Sequence, residues 1–329
     1  MIAAPKRPLL SRVADAVYWM ARYIERAENV ARFIDVNHNL MIDLPRDYSD
    51  QWQPIVDITG DRAIFQKRGG EATQENVVRF LAFEPEYPNS IYSCIVAARE
   101  NARSVRETIA SEMWEQINSM YLLVTGQTRK GLPEVLPEFC LQIRMACHLF
   151  HGIAQDTMSH NEAWYFLQLG RRLERADKTS RMLDVKYFIL LPSVTDVGTP
   201  YDEVQWTALL KSVTGFEMYR KKFGRISPDK IVEFLLLDGE FPRAIRYSLV
   251  LADEALHAIT GTSRGYFSCQ SEQRLGLLRS ELDYAHVEAI LGGGLHEFLD
   301  ALQTKMNGID ECVREDFFAQ RAAPAGAGA

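Results

Sequence analysis

Residues 22–36 read RYIERAENVARFIDV, and residues 171–185 read RRLERADKTSRMLDV. The offset is 149 residues, and seven of the fifteen paired positions are identical: Arg22/Arg171, Glu25/Glu174, Arg26/Arg175, Ala27/Ala176, Arg32/Arg181, Asp35/Asp184 and Val36/Val185. Glu28/Asp177 keeps its charge, whereas Tyr23/Arg172, Asn29/Lys178 and Val30/Thr179 differ. Residues three and four apart are neighbours on a helix. Arg22, Glu25, Arg26, Glu28 and Arg32 therefore form one charged row opposite Ile24, Ala27, Ala31 and Ile34, and Arg171, Glu174, Arg175, Asp177 and Arg181 form the same row in the second copy.

The register extends beyond the motif. At an offset of 154, Trp52 meets Trp206 and NVVRFLAFEPEYP (76–88) meets KIVEFLLLDGEFP (230–242), with looser agreement through Val105 and Ile259. The extra residues fall in a linker at 186–203, which carries Pro192, Gly198 and Pro200. Leu136-Pro-Glu-Phe139 aligns with Leu295-His-Glu-Phe298 at an offset of 159. The expected architecture is all-α. Two tandem copies of one helical unit, about 11–158 and 160–319, pack about a pseudo-twofold axis as one compact bundle, because a duplicated helical unit buries its apolar face against its twin. Residues 1–10 form an N-terminal extension, and 320–329 (RAAPAGAGA after Gln320) a disordered tail.

Local signals place the helices. Ser11 opens a helix to about Ile42, closed by Pro45, with apolar residues at Val13, Val17, Met20, Ile24, Ala27, Ala31 and Ile34. A short element covers Trp52 to Ile58. Thr73 begins a helix ended by Pro85 and Pro88; Asn89 or Ser90 caps another to Ile109; a third spans Glu112 to Val124. Residues 126–133 read as a loop, 133–158 as helix, and Gly292-Gly-Gly294 as a helix stop. No period-two strand pattern occurs.

With 329 residues and 47% hydrophobic composition, the chain can bury a full core. A net charge of −7 argues against a general nucleic-acid binder. Five scattered cysteines without a CxxC pair fit a reducing compartment. No signal peptide and no run of apolar residues long enough for a membrane span are evident, so the cytoplasm is expected.

Three roles are open for the charged rows. Exposed i,i+4 ion pairs are worth only about 0.3–0.5 kcal/mol each, which gives little reason to repeat the same arginines in both halves while their neighbours change. A buried ion-pair network could lock the halves together. A polar pocket could instead use the arginines to fork onto carboxylate or phosphate groups.

Other chemistry is sparse. Glu254-x-x-His257, Asp283-x-x-His286 and Asp35-x-x-His38, taken with Glu25 and Glu174, resemble a di-metal carboxylate recipe, but none of the three is kept in the other copy. No metal ligand is therefore assigned, and no cofactor motif is present. His148, His151 and His160 have no carboxylate or cysteine at a persuasive ligand spacing. Arg99, Arg103 and Arg106 share one side of a helix and read as surface. No GxSxG, P-loop or GxGxxG follows a strand.

The chain resembles the alpha-E family of bacterial helical proteins over about residues 9–319. The resemblance rests on Leu10-Ser-Arg-Val-Ala-Asp15, Tyr18-Trp-Met-Ala-Arg-Tyr-Ile-Glu-Arg-Ala-Glu28, Ala98-Arg-Glu-Asn-Ala-Arg103, Trp114-Glu-Gln-Ile-Asn118, Gly170-Arg-Arg-Leu-Glu-Arg-Ala-Asp177, Phe241-Pro-Arg243 and Gly294-Leu-His-Glu-Phe298. It implies an all-helical fold and supplies no catalytic residues. It also implies a gene neighbourhood shared with ATP-grasp ligases and transglutaminase-like cysteine proteases, and so a part in peptide synthesis or modification. The leading expectation is a non-catalytic partner that docks an ATP-grasp-type ligase or presents its peptide substrate through a carboxylate. The alternatives are an enzyme, with Glu25 or Glu174 as acid/base and the arginines as anion clamp, and a di-metal carboxylate bundle.

Overall fold

The computed structural model describes residues 9–43, 52–68, 70–189 and 200–319. The expected stop at Pro45, the expected tail and residues 1–8 lie outside the described residues, as does most of the expected linker. Among the described residues there are fifteen α-helices and no strand.

Two long helices form the centre. The first, α1 (Ser11–Asp43), starts where the Leu10 carbonyl accepts from the amides of Val13 and Ala14 at 2.8 and 3.0 Å. Its apolar row, from Val13 through Met20 and Ile24 to Ile34, is buried. Glu25, Glu28, Asn29 and Arg32 are buried as well, so α1 is enclosed on all sides and its charged row is no solvated face. The second, α8 (Glu162–Ile189), is capped by Asn161, whose Oδ1 accepts from the amides of Ala163 and Trp164 at 3.1 and 3.4 Å. Contacts advance in step along the pair. Gly170 lies on Tyr18, Arg175 meets Glu25, and Met182 shares an apolar cleft with Phe33, so α1 and α8 run parallel. At the first of these crossings the backbones nearly touch: a Cβ on Gly170 would meet the Tyr18 carbonyl oxygen well inside van der Waals contact.

The remaining helices wrap this pair. α2 (Gln53–Thr59) and α3 (Arg62–Arg68) precede α4 (Gln74–Val78), which runs into a π-helical turn at Arg79–Phe83. Thr73 caps α4 by accepting from the Asn76 amide at 3.3 Å. Then come α5 (Ile91–Ser104), α6 (Ser111–Lys130) and α7 (Leu136–Thr157). After α8 follow α9 (Pro200–Ser212), α10 (Phe216–Phe223), α11 (Pro228–Leu237) and α12 (Ile245–Thr260). α13 (Gln270–Asp283), α14 (Val287–Gly293) and α15 (Leu295–Val313) complete the set, and a second π-helical turn, Arg314–Phe318, closes the last helix. α5 and α7 pack on α1, and α12 and α15 pack on α8. α2 packs mainly on α8, while α9 packs on α1 and α8.

Several boundaries differ from the sequence reading. α5 ends at Ser104 rather than Ile109, because Val105 leaves helical geometry (φ −131°) and turns into the core. α6 continues through Gly126 to Lys130. The Thr125 and Thr128 hydroxyls donate to carbonyls four residues back, and Gly131 at φ +92° stops the helix. α7 begins at Leu136, with Pro137 in its first turn where no amide is needed. The linker is shorter than 186–203, since α8 reaches Ile189 and α9 begins at Pro200. Gly294, at φ +101°, separates α14 from α15 as the triple glycine suggested.

Candidate functional site

Where α1 and α8 cross, each helix offers a glutamate to the other. Arg175 forks onto Glu25, Nε to Oε1 and Nη2 to Oε2, both at 2.7 Å. Arg26 forks onto Glu174 in the same way, at 2.7 and 2.9 Å. Arg22 adds a third bond to Glu174, Nε to Oε2 at 2.9 Å, while Arg171 Nε stands 3.6 Å from Glu25 Oε2. One turn further on, Arg32 holds Glu28 at 2.7 Å and Arg181 holds Asp177 at 3.0 Å. All ten residues singled out from the sequence thus gather in one interface. Nine of them are hydrogen-bonded to another of the ten, and Arg171 alone makes no hydrogen bond within the set.

Glu25 and Glu174 are 0% exposed. Burial alone would raise a carboxyl pKa. Arg175 overcomes it at Glu25, and Arg26 with Lys178 at Glu174, so both acids lie well below the usual carboxylate range. Neither has a proton to give at neutral pH.

The two ends of this network are not equivalent. Around Glu174, cations exceed carboxylates by one: Arg22, Arg26, Lys178 and Arg181 meet Glu174, Asp177 and Asp310. Arg22 and the Tyr18 hydroxyl both donate to Asp310, which arrives on α15. Lys178 lies 2.9 Å from Asp177, and Arg26 also donates to Asn89 at 2.6 Å. Burial would lower the pKa of Arg22, but Tyr18, Glu174 and Asp310 raise it well above the ordinary value.

Around Glu25, cations exceed carboxylates. Arg243, from the turn before α12, donates to Glu28 and, at 2.9 Å, to Asn29. α7 contributes His148, 2.9 Å from Glu28, and His151, 3.5 Å from Glu25. Arg172 lies 5.8 Å over the Tyr247 ring and has no carboxylate partner. Five guanidinium groups, at positions 32, 171, 172, 175 and 243, face Glu25 and Glu28, and Glu254, itself paired with Arg264, also acts on Arg172; leaving that pair aside, the arginines exceed the carboxylates by three. Nε of Arg171, Nε of Arg172, both ring nitrogens of His151 and one oxygen of Glu28 make no hydrogen bond. Burial, then repulsion from Arg175, pushes Arg171 down to about 9 and Arg172 down to about 10. Burial also takes Arg243 down to about 10, against the pull of Glu28. Arginine keeps its proton in proteins, so these depressions express unneutralised positive charge. Burial and then Arg171 lower His151 to about 4, leaving it neutral.

Glu25, Glu28 and His151 bring ligand atoms within 4.8 Å of one another. The set suits a cation poorly, because Arg175 and Arg243 already occupy the carboxylates and the surroundings are positive. The other acid-x-x-His pairs do not assemble into a di-metal centre. His257 lies between Asp253 and Glu272, Glu254 pairs with Arg264, and Asp283 pairs with Arg246 and Arg279. Arg99 lies 4.4 Å over Tyr121 and Arg106 4.8 Å over Trp114, a surface arrangement.

Sequence reasoning missed His148, His151, Arg243 and Asp310. Arg243 entered only through the Phe241-Pro-Arg243 motif. The offset of 159 that aligns Leu136 with Leu295 also aligns His151 with Asp310, and that pairing of a base with an acid was the available signal.

Residues 9–318 match the profile of the Alpha-E family, described as a predicted alpha-helical domain with a conserved ER motif. The Glu-Arg dipeptides of this chain are Glu25-Arg26 and Glu174-Arg175. Uncharacterized protein Mb2597 of Mycobacterium bovis is 22% identical over 300 residues, which cover 85% of this chain and 33% of the relative. Uncharacterized protein MT2643 of Mycobacterium tuberculosis matches to the same extent, and Uncharacterized protein Rv2567 of that species is 21% identical over 300 residues. The chain spans about a third of the length of these curated relatives. No solved structure matches it.

Proposed function

The chain belongs to the Alpha-E family, and we propose that it acts as a non-catalytic helical partner, one that docks an ATP-grasp-type amide ligase or presents its peptide substrate. The observation that carries this reading is the use made of the Glu-Arg motif. Both glutamates are enclosed, ionised and forked by arginines from the opposite helix. An acid or base in catalysis must reach substrate and exchange a proton, so the motif favours a scaffold over the enzyme reading. The relatives add support: a stretch like this one occupies a third of each longer polypeptide, as expected of a module that works beside something else. The class of partner comes from the resemblance, with the transglutaminase-like protease as a second candidate in peptide modification. Five unpaired thiols fit a reducing compartment such as the cytoplasm.

The same reading takes the fold as two copies of one helical unit about a pseudo-twofold axis. Its supports are the parallel central pair, the matched packing of α5 and α7 on α1 with α12 and α15 on α8, and the reciprocal forks.

The test is affinity purification of the chain from its host at near-physiological salt, followed by sizing chromatography with the co-eluting ligase. Co-elution in near-equal amount, with a ligase rate that depends on the added chain, is the expected result. Separate elution together with an unchanged ligase rate overturns the proposal.

A further inference from the structure

Arg22 and Arg171 hold equivalent places on the two central helices, and each leans on the glutamate of the other. Arg22 has a second carboxylate, Asp310 of α15. Arg171 has no second carboxylate. The residue that faces it from α7 is the neutral His151, aligned with Asp310 by the 159-residue offset. Burying a cation without a counter-charge is unfavourable, and here the shortfall is three charges deep.

The surplus is reachable. Arg171 and Arg172 are only partly buried, His148 is 47% exposed, and Gly152 is exposed with open space around its Cα. α7 and α12 flank this spot while packing on α1 and α8 respectively. At helical spacing from His148, on the same outward side of α7, stand Leu141 and Met145, both exposed apolar residues.

We propose that Arg171 and Arg172, with His148 and His151 at their edge, bind a carboxylate supplied from outside, carried by a peptide whose neighbouring apolar side chain lies on Leu141 and Met145. The incoming carboxylate does for Arg171 what Asp310 does for Arg22. The Nε atoms of both arginines are enclosed and unpaired, so the carboxylate meets the outer edge of the two guanidinium groups, whose planar array of donors suits a planar carboxylate. The site deepens the substrate-presenting reading, but its test needs only this chain, so a failed ligase association leaves it standing and the reverse also holds.

The probes are N-acetyl-leucyl-glutamate, its fully amidated analogue N-acetyl-leucyl-glutamine amide, and inorganic phosphate. Each is titrated by calorimetry into the full chain at low ionic strength. The acidic dipeptide binds; the amidated analogue binds at least tenfold more weakly. Arg171→Gln and Arg172→Gln each weaken binding at least tenfold, while Arg103→Gln, at an exposed site on α5, leaves it unchanged. His151→Asp supplies the missing carboxylate internally, so it melts higher than the parent chain and no longer binds the dipeptide. A purely structural role for these arginines would not produce that pairing of gain and loss. The proposal is overturned if neither acidic probe binds, if the amidated dipeptide binds equally well, if phosphate binds in place of the dipeptide, or if His151→Asp melts lower and still binds.

Discussion

Replacing Glu174 by Gln removes one charge and almost no volume from a site that is 0% exposed. The wild-type carboxylate accepts three bonds, from Arg26 at 2.7 and 2.9 Å and from Arg22 at 2.9 Å, with Lys178 at 3.6 Å. Glutamine retains one acceptor oxygen and turns an NH2 donor toward guanidinium groups that are donors only. At least one fork is lost, and Arg26 is left enclosed with Asn89 as its remaining bonded partner. Breaking a buried pair in this way costs about 3–5 kcal/mol. Unfolding entropy near the melting point is about 2.1 cal/mol/K per residue, so a cooperative unit of about 310 residues carries about 0.65 kcal/mol/K. The expected fall in Tm is therefore about 5–8 °C, read by scanning calorimetry. The control is Glu75→Gln. Glu75 pairs with Arg79 at 2.6 Å, a better distance than most, but both side chains are about 60% exposed. That pair is worth about 0.5 kcal/mol at most, so its Tm moves by less than about 1 °C. Arg26→Gln in the Glu174→Gln background should then cost much less than Arg26→Gln alone, because the two changes remove one interaction. If Glu174→Gln melts with the parent chain, or the two changes add, the fork does not hold the helices together and the scaffold argument collapses.

Acid should destabilise the chain in two stages. His151 is lowered to about 4 when folded, so between pH 6.5 and about 4 the unfolded chain binds the extra proton and stability falls as pH falls, by at most about 1.4 kcal/mol per pH unit from this group. Glu25 and Glu174 are depressed, so their contribution is intact above the ordinary carboxyl range and is lost as pH drops below about 4.3. His151→Gln should flatten the upper stage and leave the lower one, as followed by Tm against pH. Gly170→Ala forces the Tyr18 backbone away from α8 and should cost about 1–3 kcal/mol, the usual penalty of overpacking, measurable by urea denaturation; an unchanged midpoint would contradict the close helix crossing. Burial raises Cys94 and Cys140 to about 12 and Cys147 well above its ordinary value. These three thiols should resist a disulfide reagent in the native chain and react on unfolding, and rapid native modification of any of them would show that the core opens.

The helical class was legible because periodicity reports burial, and α1 is buried along its whole apolar row. The charged row was legible as a repeat and ambiguous in role, since spacing along one helix cannot tell a solvated face from a buried one. Only the crossing of α1 with α8 decides that, and crossings depend on residues such as Gly170 whose significance is a backbone distance. Helix ends were less readable for a related reason. Val105 leaves its helix to fill the core, and Gly126 stays in one because the neighbouring threonines bond back along it. His151 and Asp310 were hidden because His151 lies 126 residues from Glu25 and Asp310 lies 288 from Arg22, each on a helix whose alignment rested on four residues.

Once Glu25 and Glu174 are seen to be used up in reciprocal forks, the identical positions of the repeat explain architecture and the divergent ones become the place to look for function. Asn29/Lys178 and Asn89/Arg243 exchange a cation for an amide in opposite senses, so together they leave the balance of the two ends unchanged. Tyr23/Arg172 and Asp310/His151 do not compensate one another. Both changes make the Glu25 end more positive, and one adds a cation as the other removes an acid. Drift in a purely structural lattice would tend to restore neutrality, because each uncompensated buried charge weakens the fold. An end that has moved twice in the same direction and remains open to solvent at His148 is better understood as awaiting a negative charge from another molecule.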